Sequence, residues 1–254
     1  MVRRTTPKTT EAKAPRPRIA KRREAKSTAI LDAAMRIAVR EGVDSLTLQG
    51  LAAALDVAVG AIYRYFPSKD AVLAGLQGQA IARLEESLAA RDARCTELIT
   101  QRKMRERGAA LLRLLAAADA YATMGREHPT HFRLFSLMLA DTHTLVRDAE
   151  GAGVLAAARP VLERVGMQFA GATYARAVGP GSPAERAVLY WAGLHGVLQL
   201  AKLDRLQPGL FDVNRRLPAM ASTLLRGWGA DVKDLARAVR LVPATREREP
   251  RRNA

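Results

Sequence analysis

From Thr28 onward, apolar positions recur three and four residues apart, the spacing of a helical face, and no convincing stretch alternates apolar with polar residues as a half-buried strand would. In "TAILDAAMRIAVREG", Ile30, Ala33, Ala34, Ile37 and Ala38 fall on one face, and Gly42 supplies a C-terminal stop. A short helix follows, capped by Thr47, with Leu48, Leu51, Ala52 and Leu55 on one side. The pattern breaks at Leu55-Asp56-Val57 and resumes from Val59 to Phe66. Pro67 ends it, because the residue before a proline is pushed out of the α region. Ser68 is placed to cap the next helix, and Asp70 in its first turn complements the helix dipole.

The remainder is Ala/Leu-rich and reads as helices over 69–98, 104–127, 130–140, 152–178, 183–206 and 215–240. Breaks are expected near Gly108, Pro129, the "GAG" at 151–153, "GPGSP" at 179–183, "QPG" at 207–209 and Pro218. Pro160 lies inside one span, so that helix is either kinked there or starts later. The expected fold class is all-α: an N-terminal three-helix helix-turn-helix domain followed by a larger helical domain.

Charge adds a feature that periodicity misses. The net charge is +16, and residues 1–26 hold ten Lys/Arg against two acids. Such a segment buries too little apolar surface to fold alone and suits a polyanion, although a solubilising or cloning-related leader has the same composition. The expected divisions are a disordered basic arm over 1–26, a helix-turn-helix domain over 27–76, a larger helical domain over 77–242, and a basic tail over 243–254. With 48% apolar and 26% charged residues, the chain has an ordinary globular composition. No apolar run approaches a membrane span and no signal-peptide pattern opens the chain, so the expected location is cytoplasmic, with no membrane partner. The single cysteine, Cys95, forms no internal disulfide and reads as a small buried hydrophobe.

Two short helices joined by a tight turn and braced by a longer first helix are the parts of a helix-turn-helix. Spacing assigns Leu51, Leu55, Val57, Ile62 and Phe66 to its inner side. Tyr63 and Tyr65 lie away from that side, where a ring and a hydroxyl suit the wall of a groove. Gly60 weakens a helix, and its lack of a side chain, with only a methyl at Ala61, permits close approach to DNA. Lys69, beside the N-terminus of the following helix, is placed to hold phosphate. Few groups on the reading helix can make bidentate base contacts, which leaves Gln49, Arg64 and apolar contacts to thymine methyls to carry specificity.

At these residues, "ILDAAMRIAVREGVDSLTLQGLAAALDVAVGAIYRYFPSKDAVL" resembles the DNA-binding domain of TetR-family bacterial transcriptional regulators along its whole length. It departs from the family pattern at Asp56, where glycine is usual, at Ala58, where serine usually caps the recognition helix, and at Gln49 and Ala61, where an Arg and a Thr are common. The resemblance implies DNA contacts from Thr47, Gln49, Val59, Gly60, Tyr63, Tyr65 and Lys69. It also implies a homodimer on a pseudo-palindromic double-stranded operator.

Further along, "RAVLYWAGLHGVLQLAKL" and "AYATMGREHPTHFRLFSLML" are similar to the WHG-type C-terminal domain of some TetR-type regulators. That resemblance implies dimerisation through the last two long helices and a pocket for a small-molecule effector. Candidates for the pocket are Tyr121, Met124, Phe132, Phe135, Met138, Phe169, Trp191 and His195; plain core packing is the competing reading for each. His128 and His131 could recruit a metal with Asp141 or His143, but Pro129 interrupts them and no complete ligand set is evident. Neither a nucleophile elbow nor a phosphate-cradling Gly-rich loop is present. The resulting expectation is a non-enzymatic, cofactor-free repressor released from its operator by an apolar effector. An activator or nucleoid-type binder, or a helical enzyme or carrier with a vestigial DNA-binding domain, are the alternatives.

Overall fold

The structure is a computed structural model that describes residues 17–140 and 149–246. Among the described residues there are ten α-helices and no strands: α1 (Pro17–Glu41), α2 (Leu48–Ala54), α3 (Val59–Tyr63), α4 (Lys69–Gln101), α5 (Glu106–Glu127), α6 (Pro129–Ala140), α7 (Ala149–Tyr174), α8 (Pro183–Leu200), α9 (Val213–Gly227) and α10 (Val232–Leu241). The chain divides into two compact units, Met1–Lys69 and Asp70–Ala254. The division falls at the first turn of α4, ahead of the boundary expected after residue 76.

The first unit is built on the apolar face of α1. Ile30, Ala33, Ala34, Ile37 and Ala38 are all buried, together with Val43, Leu46, Leu48, Leu51, Ala52, Ile62 and Phe66. Gly42 ends α1 with φ 91°, in the left-handed region that favours glycine. α1 begins at Pro17, so the last ten residues of the expected disordered arm are helical. The reason is cooperativity: the buried turns at Ile30–Ala38 supply the costly nucleus, and good helix formers such as Ala20, Lys21, Arg22 and Arg23 extend it. Residues 1–16 lie outside the described residues.

In the second unit α5 is central. It packs against α6, α7, α8, α9 and α10, and its buried residues, running almost without interruption from Leu111 to Ala122, cover every side of the helix. The alanines at 116, 117, 118, 120 and 122 let neighbours approach closely. A helix apolar all round belongs in an interior, and here it is one.

Several expected breaks fall elsewhere. Gly108 and the "GAG" at 151–153 lie inside α5 and α7, and Pro160 and Pro218 sit within α7 and α9. A proline removes one backbone bond, and packing on the flanking turns holds each helix across it. The break before α5 occurs instead at Lys103, with φ 47°. The single helix expected over 215–240 is two: Gly229, φ 93°, reverses the chain, the Trp228 carbonyl accepts from Gly179 N at 2.7 Å, and the Asp231 carboxylate caps α10. "GWGAD" carries both signals, a C-terminal glycine and an Asp cap.

One charged residue on α5 is buried, Asp119. It accepts from Arg91 on α4 at 2.6 Å and from Arg246 at 2.8 and 3.0 Å, while Arg91 also donates to Thr123 and Thr245. The start of the expected C-terminal tail is therefore anchored: Val242–Thr245 form a 3-10 turn and Thr245 is fully buried. Burial pushes the Asp119 carboxyl up, but the Arg246 hydrogen bonds and the two guanidinium charges outweigh it and hold it below the ordinary aspartate range. The stability it lends is complete above that ordinary range and is lost as pH falls through the lowered value. Asp119→Asn, which leaves Arg91 buried without its counter-charge, should cost about 3 kcal/mol and flatten the acid limb of melting temperature against pH; thermal denaturation across pH 2–7 checks both.

Candidate functional site

In the first unit, Thr47 caps α2: its hydroxyl accepts from Gly50 N at 3.0 Å. Asp56 makes the turn with φ 51°, a left-handed conformation that aspartate visits more readily than most residues. Ala58 occupies the cap position of α3, and no side-chain bond is made there. α3 is shorter than expected, ending at Tyr63, although the Phe66 amide still bonds the Ile62 carbonyl at 2.9 Å and closes one further turn. Ile62 and Phe66 face inward. Val57 does not: it is 42% exposed, since the chain leaves α2 through the left-handed Asp56 and turns the next side chain out. Leu55 is half-buried.

The outer side of this unit is open. Gly60 is exposed, and a Cβ built there would meet nothing within 4 Å. Tyr63 is 49% exposed and Arg64 is exposed, while Val59, Ala61 and Tyr65 are half-buried. Thr47 and Gln49 are exposed. The Lys69 ammonium donates to the Asp44 carbonyl at 3.0 Å, which fixes the cation beside the start of α4. Lys21, Arg22, Arg23 and Lys26 are exposed on α1.

The second unit contains a cavity of about 50 Å³ between α4, α5, α6, α7 and α8. Its walls are almost entirely apolar, with Leu88, Phe135, Val161 and Leu194 among them; the polar groups at the wall are those of Tyr121, Tyr190 and Trp191. The Tyr190 hydroxyl donates to the Leu114 carbonyl at 3.1 Å. Trp191 Nε1 donates to the Tyr121 hydroxyl oxygen at 3.1 Å, that oxygen lies 2.7 Å from His195 Nδ1, and His195 Nε2 lies 3.1 Å from Gln199 Nε2. Burial lowers the pKa of His195 and raises that of Tyr121 despite the Trp191 bond, so both are neutral near pH 7.

Residues 30–76 match the family model described as bacterial regulatory proteins, tetR family. The chain carries a TetR-family domain. A stretch of 56 residues is 43% identical to the HTH-type transcriptional repressor KstR of Mycobacterium tuberculosis, a match covering 22% of this chain and 26% of that protein. This chain thus spans about a quarter of the length of the curated relatives it matches. Solved structures share the fold over most of this chain, two of them as follows. One is a Rhodococcus sp. RHA1 protein of unknown function (24% identity, TM-score 0.59, 80% of this chain and 94% of that one). The other is SmeT, the repressor of the Stenotrophomonas maltophilia multidrug efflux pump SmeDEF (21% identity, TM-score 0.58, 84% and 94%).

Within the TetR-family domain, all nine expected DNA contacts retain solvent access, while their sequence neighbours Leu48, Leu51, Ile62 and Phe66 are buried. The expected effector residues separate. Tyr121, Phe135 and Trp191 line the cavity. His195 and Phe132 stand behind it, their rings 5.3 Å apart and each 6.3 Å from Tyr121. Phe169 packs edge-on against Tyr190 and Trp228 in the core, and Met124 is buried on another side of α5, along a groove with Arg83 and Arg91. The Met138 side chain lies outside the described residues, as do Asp141 and His143. Sequence reasoning missed the aliphatic wall, including Leu84, Leu88 and Val165; leucines at helical spacing carry no mark that separates cavity from core. His128 is engaged by Arg83 at 3.0 Å, and among the described residues no three His, Cys, Asp or Glu converge on a metal position. Cys95 is fully buried, and burial pushes its thiol up to about 11.

One more feature is exposed. On α8, Val188 (46% exposed), Ala192, Gly196 and Leu200 (48% exposed) form an apolar stripe at intervals of four residues, with the exposed Ala219 and Thr223 on the neighbouring α9.

The uncapped start of α3 generates a prediction. The backbone of Ala58 already has the extended conformation of a cap (φ −64°, ψ 141°). Ala58→Ser should stabilise the TetR-family domain by about 1 kcal/mol, read as a higher denaturation midpoint with an unchanged slope.

Proposed function

We propose that this protein is a homodimeric transcriptional repressor that binds a pseudo-palindromic operator and leaves it when an apolar effector occupies the second unit. The observation that carries the reading is the open outer side of α3, with Gly60 at its front and Tyr63 beside it, inside a region that matches the tetR family model. Repression is supported by the names of KstR and SmeT, both described as repressors. The proposed contacts are Thr47, Gln49, Val59, Gly60, Ala61, Tyr63, Arg64, Tyr65 and Lys69, with the basic turns of α1 supplying phosphate contacts that carry little sequence information. The reading is non-enzymatic and places the protein in the cytoplasm, where chromosomal DNA is reached. Among the described residues no helix is long and apolar enough to cross a membrane.

The cavity size supports a mechanism. An apolar site that holds benzene measures roughly 150 Å³, and this one measures about 50 Å³. An effector therefore has to enlarge it, and the enlarged arrangement is the state the effector prefers. A dimer reads two successive major grooves only when its recognition helices stand about 34–36 Å apart. Binding that favours another arrangement lowers operator affinity to the extent that the effector's affinities for the two states differ.

Gly60→Arg should abolish binding to genomic fragments selected with the wild-type protein, while the melting temperature stays unchanged because the added side chain meets open space. A gel-shift titration showing wild-type affinity would overturn the assignment of α3. The apolar stripe on α8 is proposed as the dimer surface, since Ala192 and Gly196 permit close helix approach and an exposed apolar band of this kind is covered in a stable assembly. Gly196→Arg should convert a dimer into a folded monomer by light scattering and weaken operator binding.

A further inference from the structure

The cavity wall holds few polar groups, and the hydrogen bonds fix what each can still do. The Tyr190 hydroxyl already donates to the Leu114 carbonyl, and the Trp191 indole N–H already donates to the Tyr121 oxygen. His195 is neutral and carries one ring proton. The Gln199 amide is assigned with its nitrogen, a donor, 3.1 Å from His195 Nε2; in that orientation Nε2 accepts and the ring proton resides on Nδ1. Nδ1–H then donates to the same Tyr121 oxygen, 2.7 Å away. A phenolic oxygen that accepts from both Trp191 and His195 has filled its acceptor positions. What it retains is its own proton, and Tyr121 lines the cavity. A buried hydroxyl proton without an acceptor is costly, and an arriving acceptor removes that cost.

We propose that the cavity selects apolar effectors bearing a hydrogen-bond-accepting oxygen, such as a ketone, ester or carboxylate, and that the Tyr121 hydroxyl is the donor that recognises it. This inference rests on the cavity being the effector site. It has a negative side as well: with its acceptor positions filled, Tyr121 does not reward an effector that offers only a proton. Gln199 is a positioning residue, acting through the tautomer of His195 without touching the effector. The other cavities fit no ligand as specifically. The groove beside Arg83 and Arg126 also contains Glu86 and Glu127, and its arginines at 91 and 246 are already committed to Asp119.

The test uses the full-length protein and two compounds that differ by C=O against CH2, acetophenone and ethylbenzene, titrated calorimetrically. Ethylbenzene reports whether the cavity binds an apolar molecule; the ratio of the two affinities reports the hydroxyl. Tyr121→Phe should lower the acetophenone-to-ethylbenzene affinity ratio about 3- to 10-fold, the worth of one buried hydrogen bond. Gln199→Leu frees His195 to move its proton to Nε2 and accept from Tyr121, so the ratio should fall in the same direction. Damage to packing alone would weaken both compounds together and leave the ratio where it was. If both compounds bind wild type and the ratio is unchanged in Tyr121→Phe, the inference is wrong while the effector site stands. An unchanged ratio in Gln199→Leu alone overturns the tautomer lock. If neither compound binds wild type, the cavity is not the effector site and the inference falls with it.

Discussion

The second unit depends on one constraint: α5 is buried on all sides. Five helices pack around it, and a helix in that position must be narrow and apolar, which its run of alanines and leucines satisfies. Any polar group it carries has to find partners inside. Asp119 and Tyr121 are two residues apart and point to different neighbours. Asp119 draws Arg91 from α4 and Arg246 from the end of the described chain, while Tyr121 draws Trp191 and His195 from α8. One network ties the C-terminal segment to the core; the other forms the polar spot of an otherwise apolar cavity. Both follow from placing polar side chains on the most buried helix, where an unmet hydrogen bond costs most.

The first unit obeys a different economy. Its core is small, set by one face of α1 and the facing sides of α2 and α3. Those inward residues are all apolar, so the opposite side is free to vary without affecting the fold. That is where Gln49 and Ala61 depart from the family pattern, at an exposed and a half-buried position. Under the proposed operator-binding reading, such departures on α2 and α3 bear on which DNA is bound. They do not bear on whether the domain folds.

What could be read from sequence divides along the same physical line. The helix-turn-helix was legible almost residue by residue because local rules determine it: a cap at Thr47, a left-handed residue at Asp56, and inward spacing of Leu51, Ile62 and Phe66. Val57 was misread because spacing rules do not extend through a turn. The helical extension to Pro17 was missed because composition judges a segment as if it had to fold alone. Glycines and prolines misled at Gly108 and Pro218, where tertiary packing outweighs a local cost of about 1 kcal/mol for glycine and about 3 kcal/mol for proline. The cavity was legible only at its aromatic and polar members.

The two polar networks on α5 also differ in what they permit. Asp119 is met by three nitrogens from two arginines. Tyr121 is met by two donors and keeps a proton. A satisfied ion-pair cluster rigidifies its surroundings, whereas a group with one valence unspent can distinguish an occupied cavity from an empty one. Under the proposed reading the cavity is too small to accept its effector without rearrangement, so helices around it yield on binding. The Arg91–Asp119–Arg246 cluster holds α4, α5 and the C-terminal turn together on another side of the same helix. In the proposed reading, an effector that enlarges the cavity works against that braced face.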